Sequence, residues 1–257
     1  MAKNLLITEK PSVAMEFAKV LKCDGNRKSG YIEAENWIIT WCVGHLVTMS
    51  YPEKYDENLK FWRLDTLPFM PKEYKYEVIE AVEKQFNIVK SLLLREDVSC
   101  IYVATDSGRE GEYIYRLVEN QVGIKEKQRK RVWIDSQTEE EIKRGIEQAK
   151  DLSEYDCLCN SAYLRAKEDY LIGINFSRLL SIIYGRRMAK EIGEEKISIS
   201  VRKSHDLCTW YGSTKRKRNT QFCKNTILQN NRNFWRGKQL FYSRMESNRK
   251  ILFMGIS

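Results

Sequence analysis

Asp106, Glu110 and Glu112 crowd into one short stretch, Ile101–Glu112, with Gly108 and Gly111 between them. Carboxylates this close repel one another. They are comfortable with a hard, oxygen-seeking cation such as Mg2+ among them, or as a loop open to water. The first arrangement supports metal-assisted chemistry on a charged substrate, and the second supports nothing beyond solubility. A second acid, Glu9, sits beside Lys10 near the amino terminus.

The elements around these residues say where they must sit. Ile101–Thr105 is a β-branched and aromatic run, hence a buried strand, and Tyr113–Val118 has helical character. A strand that stops at Asp106, turns on glycine and enters a helix delivers its acids to the carboxyl edge of a sheet. Open α/β sheets bind ligands there. Asn4–Thr8 is a second such strand, and Pro11 or Ser12 starts a helix carrying Val13, Phe17, Val20 and Leu21. Glu9 therefore ends a strand as Asp106 does, and in a doubly wound sheet the two loops can be neighbours. Alternatively, Glu9 only benefits from the positive end of the helix that follows it.

The rest of the chain predicts the frame. Tyr31–Glu33 and Trp37–Val43 read as a hairpin turning at Glu35-Asn36, closed by Gly44-His45-Leu46, with His45 as a hydrogen-bonded structural residue. Ser50–Tyr76 holds Pro52, Pro68 and Pro71 among exposed-or-buried aromatics. It reads as an ordered excursion, because Phe61, Trp62, Leu67 and Phe69 are costly to leave in water. Val78–Leu94 has helical spacing. A basic patch, Lys125–Arg131, reads as solvated surface before a strand over Arg131–Ile134, and Thr138 with Glu141 has the spacing of a capping box. Strand and helix alternate, so the expected fold class is α/β, a parallel sheet flanked by helices over residues 1–150. A long helix within 151–187 opens a second, helical domain, 151–200. Along it Arg165, Asp169, Asn175 and Arg178 recur near one side, where they read as ordinary surface ion pairs.

Composition excludes several classes. No apolar run is long enough to span a bilayer, and the amino terminus has no signal-peptide core. The 7 cysteines are scattered, with Cys157-x-Cys159 the closest spacing, which reads as reduced thiols in the cytoplasm. With 2 histidines, His45 and His205, histidine-rich metal sites are excluded. The net charge of +9 is misleading. Residues 201–257 carry 13 Lys/Arg against 2 acids, which leaves 31 against 33 in residues 1–200. The folded part is nearly neutral, so any affinity for DNA there must come from local patches.

Asp106-x-Gly108-x-Glu110-Gly111-Glu112 after a hydrophobic strand resembles the acidic motif of the Toprim domain. Extended to Ala104-Thr105-Asp106-x-x-Arg109-Glu110-Gly111-Glu112, it is similar to type IA DNA topoisomerases, on the topoisomerase III branch. Glu9-Lys10-Pro11-Ser12, Thr40–Leu46 and Arg165–Arg178 resemble the same family in the same order, over roughly residues 3–200. The resemblance implies a Toprim-type sheet that binds Mg2+ through Asp106, Glu110 and Glu112. It implies catalytic roles for Glu9 (acid/base), Lys10 (scissile phosphate) and Arg109. It also implies a groove for single-stranded or negatively supercoiled DNA lined by Arg165, Asp169, Asn175 and Arg178. The family pattern has Asp where this chain has Gly108, which removes one metal ligand.

From about Val201 the resemblance stops. Acids nearly vanish and Lys215-Arg216-Lys217-Arg218 appears. Written in permitted codons and read one base later, His205–Gly212 gives Met-Thr-Cys-Val-Leu-Gly-Met, similar to the family's next segment. Residues 201–257 are thus expected to be an out-of-frame, disordered basic tail. The family's nucleophilic tyrosine lies beyond this point, and neither Tyr211 nor Tyr242 has its surroundings. The expected function is single-strand cleavage and religation of DNA, with the chain inactive alone. The alternatives are a free-standing Mg2+-dependent Toprim nuclease and a non-catalytic nucleic-acid binder that uses the tail.

Overall fold

A computed structural model describes residues 2–201 apart from 24, 125, 126 and 196, together with the backbone of Ile251–Leu252. The latter pairs in parallel with Ser198–Ile199. The expected reading frame and disorder of the tail, and Tyr211 and Tyr242, lie outside the described residues.

The chain divides into two compact units, Met1–Ser50 with Tyr74–Arg165, and Tyr51–Glu73 with Ala166–Ser257. In chain order the strands are β1 (Lys3–Thr8), β2 (Asn26–Lys28), β3 (Tyr31–Glu33), β4 (Trp37–Trp41), β5 (Val47–Met49), β6 (Tyr76–Val78), β7 (Val98–Ala104), β8 (Gln128–Arg131) and β9 (Lys150–Asp151). The helices are α1 (Pro11–Val20), α2 (Glu83–Leu93), α3 (Arg109–Val122), α4 (Glu139–Glu147) and α5 (Asp156–Ile192). All but the second part of α5 belong to the first unit. Among the described residues no helix is long and apolar enough to cross a membrane.

The first unit is a seven-stranded sheet in the order β2-β3-β4-β1-β7-β8-β9, with β5 and β6 forming a separate antiparallel pair. It is an α/β fold as expected, but a mixed sheet. The inner strands β4, β1, β7 and β8 run parallel, whereas β2–β3, β3–β4 and β8–β9 are antiparallel. Of these, β4, β1 and β7 are buried on both faces, as parallel strands covered by helices must be, whereas β8 buries only Arg131 fully. Leu6, Ile39 and Ala104 share one core cluster with Phe17 of α1 and Ile142 of α4. The alternating positions Leu5, Ile7, Ile38, Ile101 and Val103 are equally buried, and period-two geometry turns them to the other face.

Three local expectations need correction. The strand placed at Arg131–Ile134 lies at Gln128–Arg131, with Cys100 opposite Gln128 and Val103 opposite Arg131. Its charged residues hid it: Arg129 pairs with Glu119 and Arg131 with Glu112, so neither is solvated surface. The helix expected from Val78 begins at Glu83, because Val78 ends β6 and Glu80–Val82 forms a 3-10 turn. The capping box does not close. Thr138 makes no side-chain cap bond, and Glu141 instead accepts from the Asp135 amide at 3.1 Å and pairs with Arg144.

In the second unit, Phe69 packs edge-to-face on Tyr55 and Tyr170, with centroids 5.2 and 6.4 Å away. The proline-rich excursion is held through Phe69, while Phe61 and Trp62, expected to avoid water, are exposed.

Candidate active site

Strands β1 and β7 are parallel neighbours with Thr8 opposite Ala104, so the residues just past their carboxyl ends share one edge. The Lys10 ammonium donates to Asp106 Oδ2 at 3.2 Å and stands 3.6 Å from Glu9 Oε1. Its pKa is raised, mainly by the bond to Asp106 and then by that carboxylate's charge and that of Glu9. Glu9 itself is mostly enclosed, and its Oε2 is buried without a hydrogen-bond partner among the described residues. A buried carboxylate oxygen left unmatched is costly unless a proton, a cation or a donor group from a ligand reaches it. Asp106 is half-exposed and Glu110 is open to water.

A third strand contributes a residue that the sequence reading assigned to structure alone. β4 runs parallel to β1 on its other side, with Trp41 opposite Thr8. Beyond β4 the backbone turns at Gly44 in the left-handed region (φ +85°). His45 Nε2 then lies 3.6 Å from Glu110 Oε2, with its ring edge-on to Tyr113. Like Glu9 and Asp106, His45 follows the carboxyl end of an inner strand. The overlooked signal was the strand–glycine–histidine order at 37–45.

The glycines set the path of the acidic loop. A Cβ on Gly111 would sit 2.0 Å from the Asp106 carbonyl oxygen, so only glycine lets the first turn of α3 lie against that backbone. Gly108 differs. Its backbone is extended and a Cβ there would meet nothing within 4 Å. Arg109 opens α3 on the exposed side.

Beneath the loop lies a buried guanidinium. Arg131 Nε donates to Glu112 Oε2 at 3.0 Å. Its Nη1 reaches the carbonyls of Val103 (3.0 Å), Thr105 (2.8 Å) and Val132 (3.0 Å), and its Nη2 donates to the Asp106 carbonyl at 2.8 Å. Burial pulls the Arg131 pKa down, and the charge of Glu112 opposes that pull. The other oxygen of Glu112 accepts from Arg116 Nε at 2.8 Å. Glu112 is fully buried and both its oxygens face arginines, so it does not join Asp106 and Glu110 at the edge. Among the described residues no three His, Cys, Asp or Glu side chains converge as a metal cage.

The residues expected to line a DNA groove all lie on α5, in different settings. Arg165 is exposed and belongs to the first unit, while Asp169 is half-buried in the second. The Asn175 amide is already used: Oδ1 accepts from the Phe69 amide at 2.6 Å, and Nδ2 donates to the carbonyls of Phe69 and Leu171, each at 2.9 Å. Arg178 is buried, 5.7 Å from the Trp62 ring centre, and its Nη1 has no hydrogen-bond partner among the described residues. Burial lowers its pKa against the pull of Glu53.

Comparison with known proteins adds relatives to this geometry. The family model described as Toprim domain matches residues 4–136. The chain is 47% identical over 188 residues to the DNA topoisomerase 3 of Bacillus anthracis, covering 73% of this chain and 26% of that protein. To the DNA topoisomerase 3 of Bacillus subtilis (strain 168) it is 42% identical over 189 residues, 74% of this chain and 26% of that one. To that of Staphylococcus aureus (strain MRSA252) it is 43% identical over 187 residues, again 73% and 26%. The chain thus spans about a quarter of the length of the curated relatives it matches.

Proposed function

The chain belongs to the Toprim domain family, and from that premise we propose that it carries the acid/base and cation-binding part of a type IA DNA topoisomerase reaction. In that reaction a tyrosine attacks a phosphodiester of one DNA strand and holds the 5′ phosphate covalently. The departing 3′ oxygen gains a proton, and resealing returns it. The observation that carries this reading is the meeting of Glu9, Lys10 and Asp106 from two adjacent strand ends.

Each residue then has a part. Lys10 holds a non-bridging phosphate oxygen by charge while Asp106 keeps its ammonium in place. Glu9 is the group for the leaving oxygen: its Oε2 is enclosed, unmatched and within a side chain's reach of Lys10, so a proton held there passes to the 3′ oxygen and back. His45 orients Glu110. Arg109, at the exposed start of α3, adds positive charge along the strand being cut.

The donors fit Mg2+, which prefers oxygen ligands, needs only one or two carboxylates and keeps its waters. Asp106 and Glu110 would hold it, leaving Glu9 to the proton. When bound it would offset phosphate charge. Glu112 is assigned no metal, since two arginines hold it. Single-stranded or negatively supercoiled DNA is the proposed partner, with Arg165 proposed to meet it in the first unit and Asp169 in the second, where Asn175 and Arg178 hold their own unit's surface in shape. The cytoplasm, where bacterial DNA is, is the proposed location.

The test is Mg2+ titration of the 257-residue chain by calorimetry, repeated for Asp106→Asn and Glu110→Gln. Binding that both substitutions abolish supports the reading. Mg2+-dependent hydrolysis of single-stranded DNA by the chain alone would select a nuclease instead.

A further inference from the structure

Two glycines, Gly108 and Gly111, follow Asp106 in the acidic loop, so something must hold the backbone that carries it. Backbone pairing cannot, because β7 ends at Ala104. Past that point the carbonyls of Thr105 and Asp106 leave the sheet ladder, and both are taken up by one guanidinium, which also reaches Val103 and Val132. We infer that Arg131 is a positioning residue for the acidic edge: it clamps the backbone on which Asp106 is carried, and Glu112 is its anchor rather than a ligand.

Four observations support this. The Arg131 side chain is fully enclosed, so it has no role toward solvent or substrate. Its planar fork fits several carbonyls at fixed angles, which a lysine ammonium cannot do. Glu112 is held in turn by Arg116, whose Nη2 donates to the Leu152 carbonyl at 2.7 Å and to Asp156 Oδ1 at 2.8 Å. The clamp is therefore fastened to the start of α5 as well as to α3. On the other side, Ser107 Oγ donates to the Ile134 carbonyl at 2.7 Å and accepts from the Ile134 amide at 3.0 Å, which ties the next loop residue to the segment following Arg131.

A structural ion pair and a positioning clamp differ in one respect. Replacing both partners of a buried pair by apolar groups of similar size is often neutral or stabilising, so such a change rescues a purely structural role. It cannot restore donors to the carbonyls of Thr105 and Asp106. The experiment is the double variant Arg131→Met/Glu112→Leu in the full chain, read by thermal unfolding, by Mg2+ calorimetry and by amide hydrogen exchange over residues 105–111. The expected result is a fold of near wild-type stability with faster exchange in that loop. Mg2+ affinity should fall by about 10–100-fold, the usual cost of losing a support behind a ligand. Unchanged exchange and affinity would overturn the inference. If the double variant does not fold, Arg131→Lys decides by the same readings, because it keeps the charge opposite Glu112 but not the fork: wild-type exchange and affinity there would overturn it. The metal arm rests on the proposed function. A wild-type chain that binds no Mg2+ would count against that function, while the exchange arm would still decide the clamp.

Discussion

Arg131 and Glu112 form an ion pair at 3.0 Å in which neither side chain is accessible to water. The pair lies directly under the loop that carries Asp106, and the same guanidinium accounts for the carbonyls at which β7 runs out. A charge buried this deeply is tolerated only while its partner and its hydrogen bonds are all present.

Removing one partner should therefore be severe. Glu112→Ala leaves the Arg131 cation enclosed and unbalanced, and urea unfolding should show a loss of about 3–5 kcal/mol. A loss below about 1 kcal/mol would mean that water reaches Arg131 after all.

Two glycines of the loop should respond in opposite ways. At Gly108 the backbone is extended and the side-chain direction is empty, so Gly108→Asp should fold normally and tighten Mg2+ binding. At Gly111 a methyl group would meet the Asp106 carbonyl at 2.0 Å, so Gly111→Ala must shift the loop. Calorimetry should show weaker Mg2+ binding and unfolding a loss of about 1–3 kcal/mol. Equal behaviour of the two variants would contradict the loop geometry.

What was legible in the sequence was what periodicity and strand-end chemistry encode. Glu9 and Asp106 could be placed at one edge because each follows a buried strand and precedes a helix. Strand β8 was not legible: Gln128–Arg131 carries no apolar residue, and its burial depends on Glu112 and Glu119, which are distant in sequence. For the same reason Glu112 looked like a third member of an acidic cluster. Its spacing from Asp106 is that of a ligand set, whereas its direction on α3 is set by two arginines that no local pattern reveals. The family resemblance placed Asn175 in a DNA groove, but it could not show that Phe69 already takes up its amide.

That amide gives the next prediction. Asn175→Ala strands the Phe69 amide and carbonyl where they are partly buried, at a cost of about 1–3 kcal/mol. Limited proteolysis should then cut within 51–73 faster than in the wild type. Unchanged digestion, together with weakened binding of single-stranded DNA, would assign Asn175 to the DNA instead.

Acid should weaken the fold through Glu33. The Arg95 guanidinium, with Lys28 and Lys3, holds this carboxyl down from 4.5 to about 2. The folded form thus binds its proton less readily than the unfolded one. The stabilisation is complete above about pH 4.5 and is lost as pH falls toward 2, amounting to about 1–3 kcal/mol. Glu33→Gln should flatten the pH dependence of unfolding over that window, and an unchanged slope would locate the acid sensitivity elsewhere.

Transplantation shows whether Glu9, Lys10 and Asp106 perform topoisomerase chemistry. In the DNA topoisomerase 3 of Bacillus anthracis, the segment this chain matches is replaced by the chain's own residues, and relaxation of negatively supercoiled plasmid is followed against Mg2+ concentration. Relaxation should need more Mg2+ than in the parent enzyme, return toward the parent requirement with Gly108→Asp, and disappear with Glu9→Gln or Asp106→Asn. A folded chimera that stays inactive with either residue at 108, or one that works equally well without Glu9 or Asp106, would contradict that assignment.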